Sequence, residues 1–267
     1  MRYDYEELAR IHSVVLLTTL FAWILLIAGP PSVAVFAHCP AGGVGAVPPS
    51  ASLKMLRAMN SPAAAMLGWL AMLTAMMLPA LVSPIYHIYT SSFTRRRFRS
   101  ITLFFVGYGA IWMVVGILLV AIDLVIQLSV PHLYVLFLPA MGALFAAIVW
   151  QCSPLKQRTL NRCHSHEELA AFGFAADRDA LGFGVRHGIW CAGSCWALML
   201  FPMVLPRGHV IAMAAMAILI FGERLEQPRP PCWRRRGLGK AIRIVVAQAR
   251  IRLHTCRLAS ATISSGT

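Results

Sequence analysis

His187, Cys191, Cys195 and Met199 recur at steps of four along FGVRHGIWCAGSCWALML. On a helix each step of four overshoots a full turn by about 40°, so these side chains share one slowly drifting stripe. Imidazole, two thiols and a thioether are soft or borderline donors. Together they favour Cu(I), or Zn(II) if a harder donor joins them. Cys and Met are also comfortable apolar fillers, so the stripe must be weighed against plain packing. Geometry limits what it can do alone: residues eight apart stand about 12 Å apart along the axis. Two adjacent members can grip an ion at once, with Cys191 common to the His187–Cys191 and Cys191–Cys195 pairs. Any further donor must come from another helix.

Three other groups could supply that donor. The stretch WLAMLTAMMLPA at 69–80 carries Met72, Met76 and Met77, and six of the thirteen Met fall between 55 and 77. Glu223 is an ionisable residue within an apolar run, where charge is expensive. It stands at the depth of His187 as a hard ligand or proton acceptor, or as the partner of Arg186 in an interhelical ion pair. Cys152 and Cys163 are followed by His164 and His166, but their spacing matches no structural zinc site. Asp123, near the outer end of its segment, is expected to reach water.

The elements that must position these residues are apolar. The 267 residues are 58% hydrophobic and 13% charged, with a mean hydropathy of +0.68. A soluble domain is roughly a quarter charged, so a membrane protein remains. Six segments, at about 12–36, 63–90, 101–127, 133–151, 183–205 and 210–227, approach the ~20 residues that a span needs. The expected architecture is an all-α, polytopic helical bundle over 1–230, followed by a basic tail over 231–267. Within the tail, Lys240, Arg243, Arg250, His254 and Arg257 line one stripe and Leu238, Ile242, Val245 and Ala249 another. That pattern reads as an amphipathic helix lying in the inner interface.

The net charge of +14 follows topology. Of the 24 Lys and Arg, 21 fall in one set of alternate compartments and three in the other. The positive-inside rule then puts both termini in the cytoplasm, the basic residues meeting lipid headgroups with no nucleic-acid footprint. The leader MRYDYEELARIHS lacks a positive n-region, so the first segment reads as a retained helix. Only Cys39 falls on the outer side, and no disulfide framework is expected. Pro79 and Pro84 should kink the second segment near His87. Met77 and Cys191 each stand fourteen residues from the outer ends of their segments, which predicts that the second and fifth segments pack together beside Ala71, Ala75, Ala192 and Gly193. No Walker, GxGxxG or HExxH motif is present.

Three stretches carry a family resemblance. They are Trp69 to Met72 with Ala75 to Pro79, Trp150 to Lys156 with Arg162-Cys163, and Gly184 to Met199. Over about 60–226 the chain resembles a bacterial family of integral membrane proteins described as metal-binding (domain of unknown function 2182), some of whose members are labelled copper chaperones. The resemblance implies a multi-pass protein of the bacterial cytoplasmic (inner) membrane and a copper ion as cargo. It also implies a further thiol where this chain has Ser194. The combined expectation is a non-enzymatic protein that binds or hands over a soft metal, with a membrane or periplasmic metalloprotein as recipient. An accessory or assembly subunit, with Met and Cys as packing, is the alternative. A membrane thiol oxidoreductase is a second one, disfavoured because thiols at i and i+4 of a helix are poorly placed for a disulfide.

Overall fold

The computed structural model describes residues 2–28, 62–129, 138–165, 167–205 and 208–234, with Arg243 and Ala247 beyond them. The described residues are helical, with no strand among them. The order is α1 (Arg2–Ala28), α2 (Pro62–Met77), a 3-10 turn (Leu78–Leu81), α3 (Val82–Ser91), α4 (Arg97–Ser129), α5 (Leu138–Cys152), α6 (Pro154–Cys163), α7 (Gly173–Val204) and α8 (His209–Arg224). The loop at 37–61, Cys39, the turn at Val130-Pro131-His132, His166 and most of the basic stripe lie outside the described residues.

Each break has a local cause. Pro79 lacks an N–H and cannot continue the α-ladder, so the second apolar segment tightens into the 3-10 turn before α3. Ser153 caps α6, its Oγ accepting from the Lys156 N–H at 3.1 Å, with Pro154 at the first helical position. That cap bends the chain by 69° between α5 and α6. Gly208 takes φ 75° to start α8, a left-handed conformation that favours glycine.

Length and apolarity make four helical runs candidates to cross a membrane: Glu6–Ala28, Met66–Ser91, Arg97–Asp123 and Gly173–Val204. The bent α5–α6 pair is a fifth candidate. The sixth expected segment forms as α8, with 16 residues. The fifth begins ten residues earlier than hydropathy indicates, because Asp177, Arg178 and Asp179 are helical despite their charge. Residues 154–163, read from their polarity as loop, form a helix that folds against α7.

The spine of the molecule is the α4–α7 seam. A Cβ on Gly107 would sit 2.5 Å from the Leu181 carbonyl oxygen, and one on Gly184 would run into the Phe104 carbonyl oxygen. Gly184 and Gly188 form a small-xxx-small step that lets the two backbones touch. Across α4, Gly116 makes a notch filled by Trp69 of α2, whose Nε1 donates to the Trp112 carbonyl at 3.0 Å.

Charged side chains collect at one pole. Arg96 and Arg99 both reach Asp177, at 2.5 and 2.6 Å, Arg97 lies 3.6 Å from Glu7, and Arg186 pairs with Glu167. The Glu167 carbonyl also meets His87 Nε2 at 2.8 Å. The pole therefore ties the starts of α1, α4 and α7 to the end of α3. In contrast, Leu16, Leu17, Leu20, Phe21 and Ile24 of α1 and Val114, Ile117 and Leu118 of α4 are exposed. Such broad apolar surface is compatible with a lipid environment.

Two expectations are corrected here. Arg186 does not pair with Glu223: it belongs to the pole with Glu167, while Glu223 pairs with Lys156. Equal depth suggests the first pairing, but depth carries no information about azimuth. Asp123 is buried rather than wet.

Candidate metal site

Among the four long apolar runs α7 is the most buried, and its stripe points inward. His187, Cys191, Cys195 and Met199 are all buried, as is Met203 one step further on. Both thiols sit at the centre of the core, and each is free of any disulfide. At a spacing of four they are neighbours on one face of the helix.

Their polar neighbours are few and specific. Arg224, at the end of α8, donates from Nη2 to Cys191 Sγ at 3.0 Å. Tyr108 Oη of α4 lies 3.4 Å from the same sulfur. Ser194 Oγ donates to the Cys191 carbonyl at 2.8 Å and stands 3.2 Å from Cys195 Sγ. A serine hydroxyl has one proton to give, so the Cys195 thiol is left as donor to it. His187 stands to one side of this polar cluster, in an aromatic box. Phe104, Phe183 and Tyr108 surround its ring, with centroids 5.9, 5.9 and 6.0 Å away.

A third thiol enters the cluster from α6. Cys163 is buried in the same core as Cys191 and Cys195. Sequence reasoning groups it with His164 and His166 in a cytoplasmic loop. The fold separates them: His164 turns away, with its two ring nitrogens 2.8 Å from the Leu160 carbonyl and 3.0 Å from the Arg224 carbonyl. The signal that could have found Cys163 is Ser153-Pro154, a helix start that converts the supposed loop into a packed element.

Glu223 is buried and engaged elsewhere. Its carboxylate meets Lys156 Nζ at 2.7 and 3.0 Å and also accepts from Gln151 Nε2. Lys156 is fully buried. This pair joins α6 to α8 and leaves Glu223 poorly placed to act as a hard ligand.

Met72, Met76 and Met77 are buried in the same apolar core as the thiols. Their helix is nevertheless not laid along α7. The main neighbours of α2 are α1 and α8, and α8 in turn packs on α7. The second and fifth segments meet directly at His87, whose ring stands 5.7 Å from that of Phe183, while α8, carrying buried Met213, lies against both α2 and α7.

Among the described residues, no three His, Cys, Asp or Glu side chains converge as a ligand shell. What the site offers is a two-thiol grip, with thioethers nearby and one guanidinium over the sulfur. Cu(I) is the ion best served by a few soft donors. A family model described as copper chaperone, PpoB2, matches residues 66–247. The chain belongs to this copper chaperone family. The match to the copper chaperones takes in nearly all of α2 and every helix from there to α8, and so the whole thiol cluster. It leaves α1 aside and continues past residue 226, where the motif resemblance stops, into the basic tail as far as Ala247. No curated protein and no solved structure matches the chain.

Proposed function

We propose that this copper chaperone family member is an integral membrane protein that holds Cu(I) between Cys191 and Cys195 and passes it on through thioethers, without catalysing a reaction. The observation that carries this reading is the pair of buried, free thiols at adjacent positions on one face of α7, within the family-matched region. Metal binding requires both as thiolates, the form in which Cys ligates. Met199 and Met203 continue the stripe away from the charged pole, each step of four adding about 6 Å of rise. Met213, Met72, Met76 and Met77 offer further soft donors on α8 and α2. The recipient would be a membrane or periplasmic metalloprotein on the far side.

The test is metal retention by purified protein, reduced and loaded with Cu(I). Cys191→Ser should lose the most, Cys195→Ser nearly as much, and Met199→Leu the least. Wild-type protein that keeps no more copper than Cys191→Ser would remove the binding role, and the accessory-subunit reading would take its place.

Sidedness belongs to the same reading. The 21-to-3 division of Lys and Arg and the ion-paired pole of α1, α4 and α7 support a cytoplasmic position for that pole and for both termini of a bacterial inner-membrane protein. A cytoplasm-active reporter fused after Thr267 should be active and a periplasm-active one silent. The reverse pattern would invert the bundle.

A further inference from the structure

We propose that Arg224 is a specificity-determining residue of this site, selecting a monovalent soft cation over a divalent one by setting the net charge of the loaded thiol pair. The inference rests on the two-thiol reading above and extends it to the question of which ion is accepted.

Arg224 contributes a permanent positive charge at 3.0 Å from Cys191 Sγ. Among the described residues no carboxylate lies in ion-pair range of it: Glu223, its chain neighbour, is taken by Lys156. Arg224 Nε likewise has no hydrogen-bond partner there. The Lys156–Glu223 pair is neutral as a unit, so the guanidinium is the uncompensated charge of the cluster. Its side chain turns to sulfur, donating to Cys191.

The charge balance follows from binding alone. With both thiols protonated, the two thiols and Arg224 carry +1. A monovalent cation that displaces two protons leaves two thiolates, one metal charge and one guanidinium, which sum to zero. A divalent ion bound the same way leaves +1. Without Arg224, the monovalent complex would be a buried anion and the divalent complex would be neutral. Net charge is costly where water is excluded. The guanidinium therefore favours Cu(I) or Ag(I) over Zn(II), and its removal shifts the preference toward the divalent ion. Ser153-Pro154 and the α5–α6 bend matter here because they bring Lys156 to Glu223, which would otherwise neutralise Arg224.

The experiment measures Cu(I) and Zn(II) affinities of the purified full-length chain by competition with chromophoric chelators. Wild type should prefer Cu(I). Arg224→Met should lose at least tenfold in Cu(I) affinity while Zn(II) binding holds or improves, and Arg224→Lys, which keeps the charge, should retain the wild-type ratio within about threefold. A merely structural Arg224 would weaken both metals together in Met and Lys variants alike. If Arg224→Met fails to accumulate, Arg224→Gln carries the same comparison beside Arg224→Lys. An unchanged Cu(I)-to-Zn(II) ratio in the neutral variant, or a ratio lost in Arg224→Lys, overturns the assignment while leaving the thiol site standing. Wild-type protein that binds neither ion overturns the thiol site itself.

Discussion

Lys156→Met should cost the folded bundle about 3–5 kcal/mol, the magnitude found when one partner of a buried ion pair is removed. Lys156 is fully buried and Glu223 nearly so, with 2.7 Å between Nζ and the carboxylate. Truncating the lysine strands a carboxylate in the core, with only Gln151 left to donate to it. Glu223→Gln strands the ammonium instead and should cost a similar amount. The double variant Lys156→Met, Glu223→Leu removes both charges and fills the space with apolar atoms, so it should be more stable than either single variant. Thermal unfolding in detergent checks the ordering. Single variants as stable as wild type would show that the pair is not held in the interior. Because α6 carries Cys163 and α8 carries Arg224, the same variants should also disturb copper retention.

Gly184→Ala should destabilise the protein by about 1–3 kcal/mol, the cost of forcing an extra carbon into a closed seam. The added Cβ meets the Phe104 carbonyl, a backbone atom that cannot swing aside as a side chain can. α7 must then lift from α4, and the stripe three, seven and eleven residues further on, His187, Cys191 and Cys195, lifts with it. Gly109→Ala is the control on the same seam helix, since nothing lies within 4 Å of its Cβ position. There the gain in helix propensity, about 1 kcal/mol, should leave stability unchanged or raised. Equal melting temperatures for the two variants would contradict the close approach.

Much of the architecture was legible in the residues because hydropathy reports apolar length directly. The helices, the break at Pro79 and the inward stripe on α7 all follow from it. What hydropathy lacks is azimuth and pairing. Met77 and Cys191 share a depth, yet α8 packs against both of their helices, and nothing in segment length reveals which helix intervenes. Arg186 and Glu223 share a depth too, and face different partners. The polar stretch 152–182 was hardest to read, because a short charged helix has the composition of a loop. Lys156 and Cys163 gain their roles only when the chain bends by 69° and returns to the bundle. Of the site, the two α7 thiols were visible from spacing. Cys163 and Arg224 were not, since their relevance depends on that return.

The indole of Trp69 in the Gly116 notch works as a key in a keyway. A helix held at one point by a bulky ring against a missing side chain can neither roll nor slide without first withdrawing the ring, here also anchored by a 3.0 Å hydrogen bond. Met72 and Met76 follow Trp69 by three and seven residues, so the same key fixes the bearing of their thioethers. α2 should thus be held in register against α4 at this point. Breathing of the bundle is then expected away from this contact, on the flank where α1 turns its apolar side chains outward.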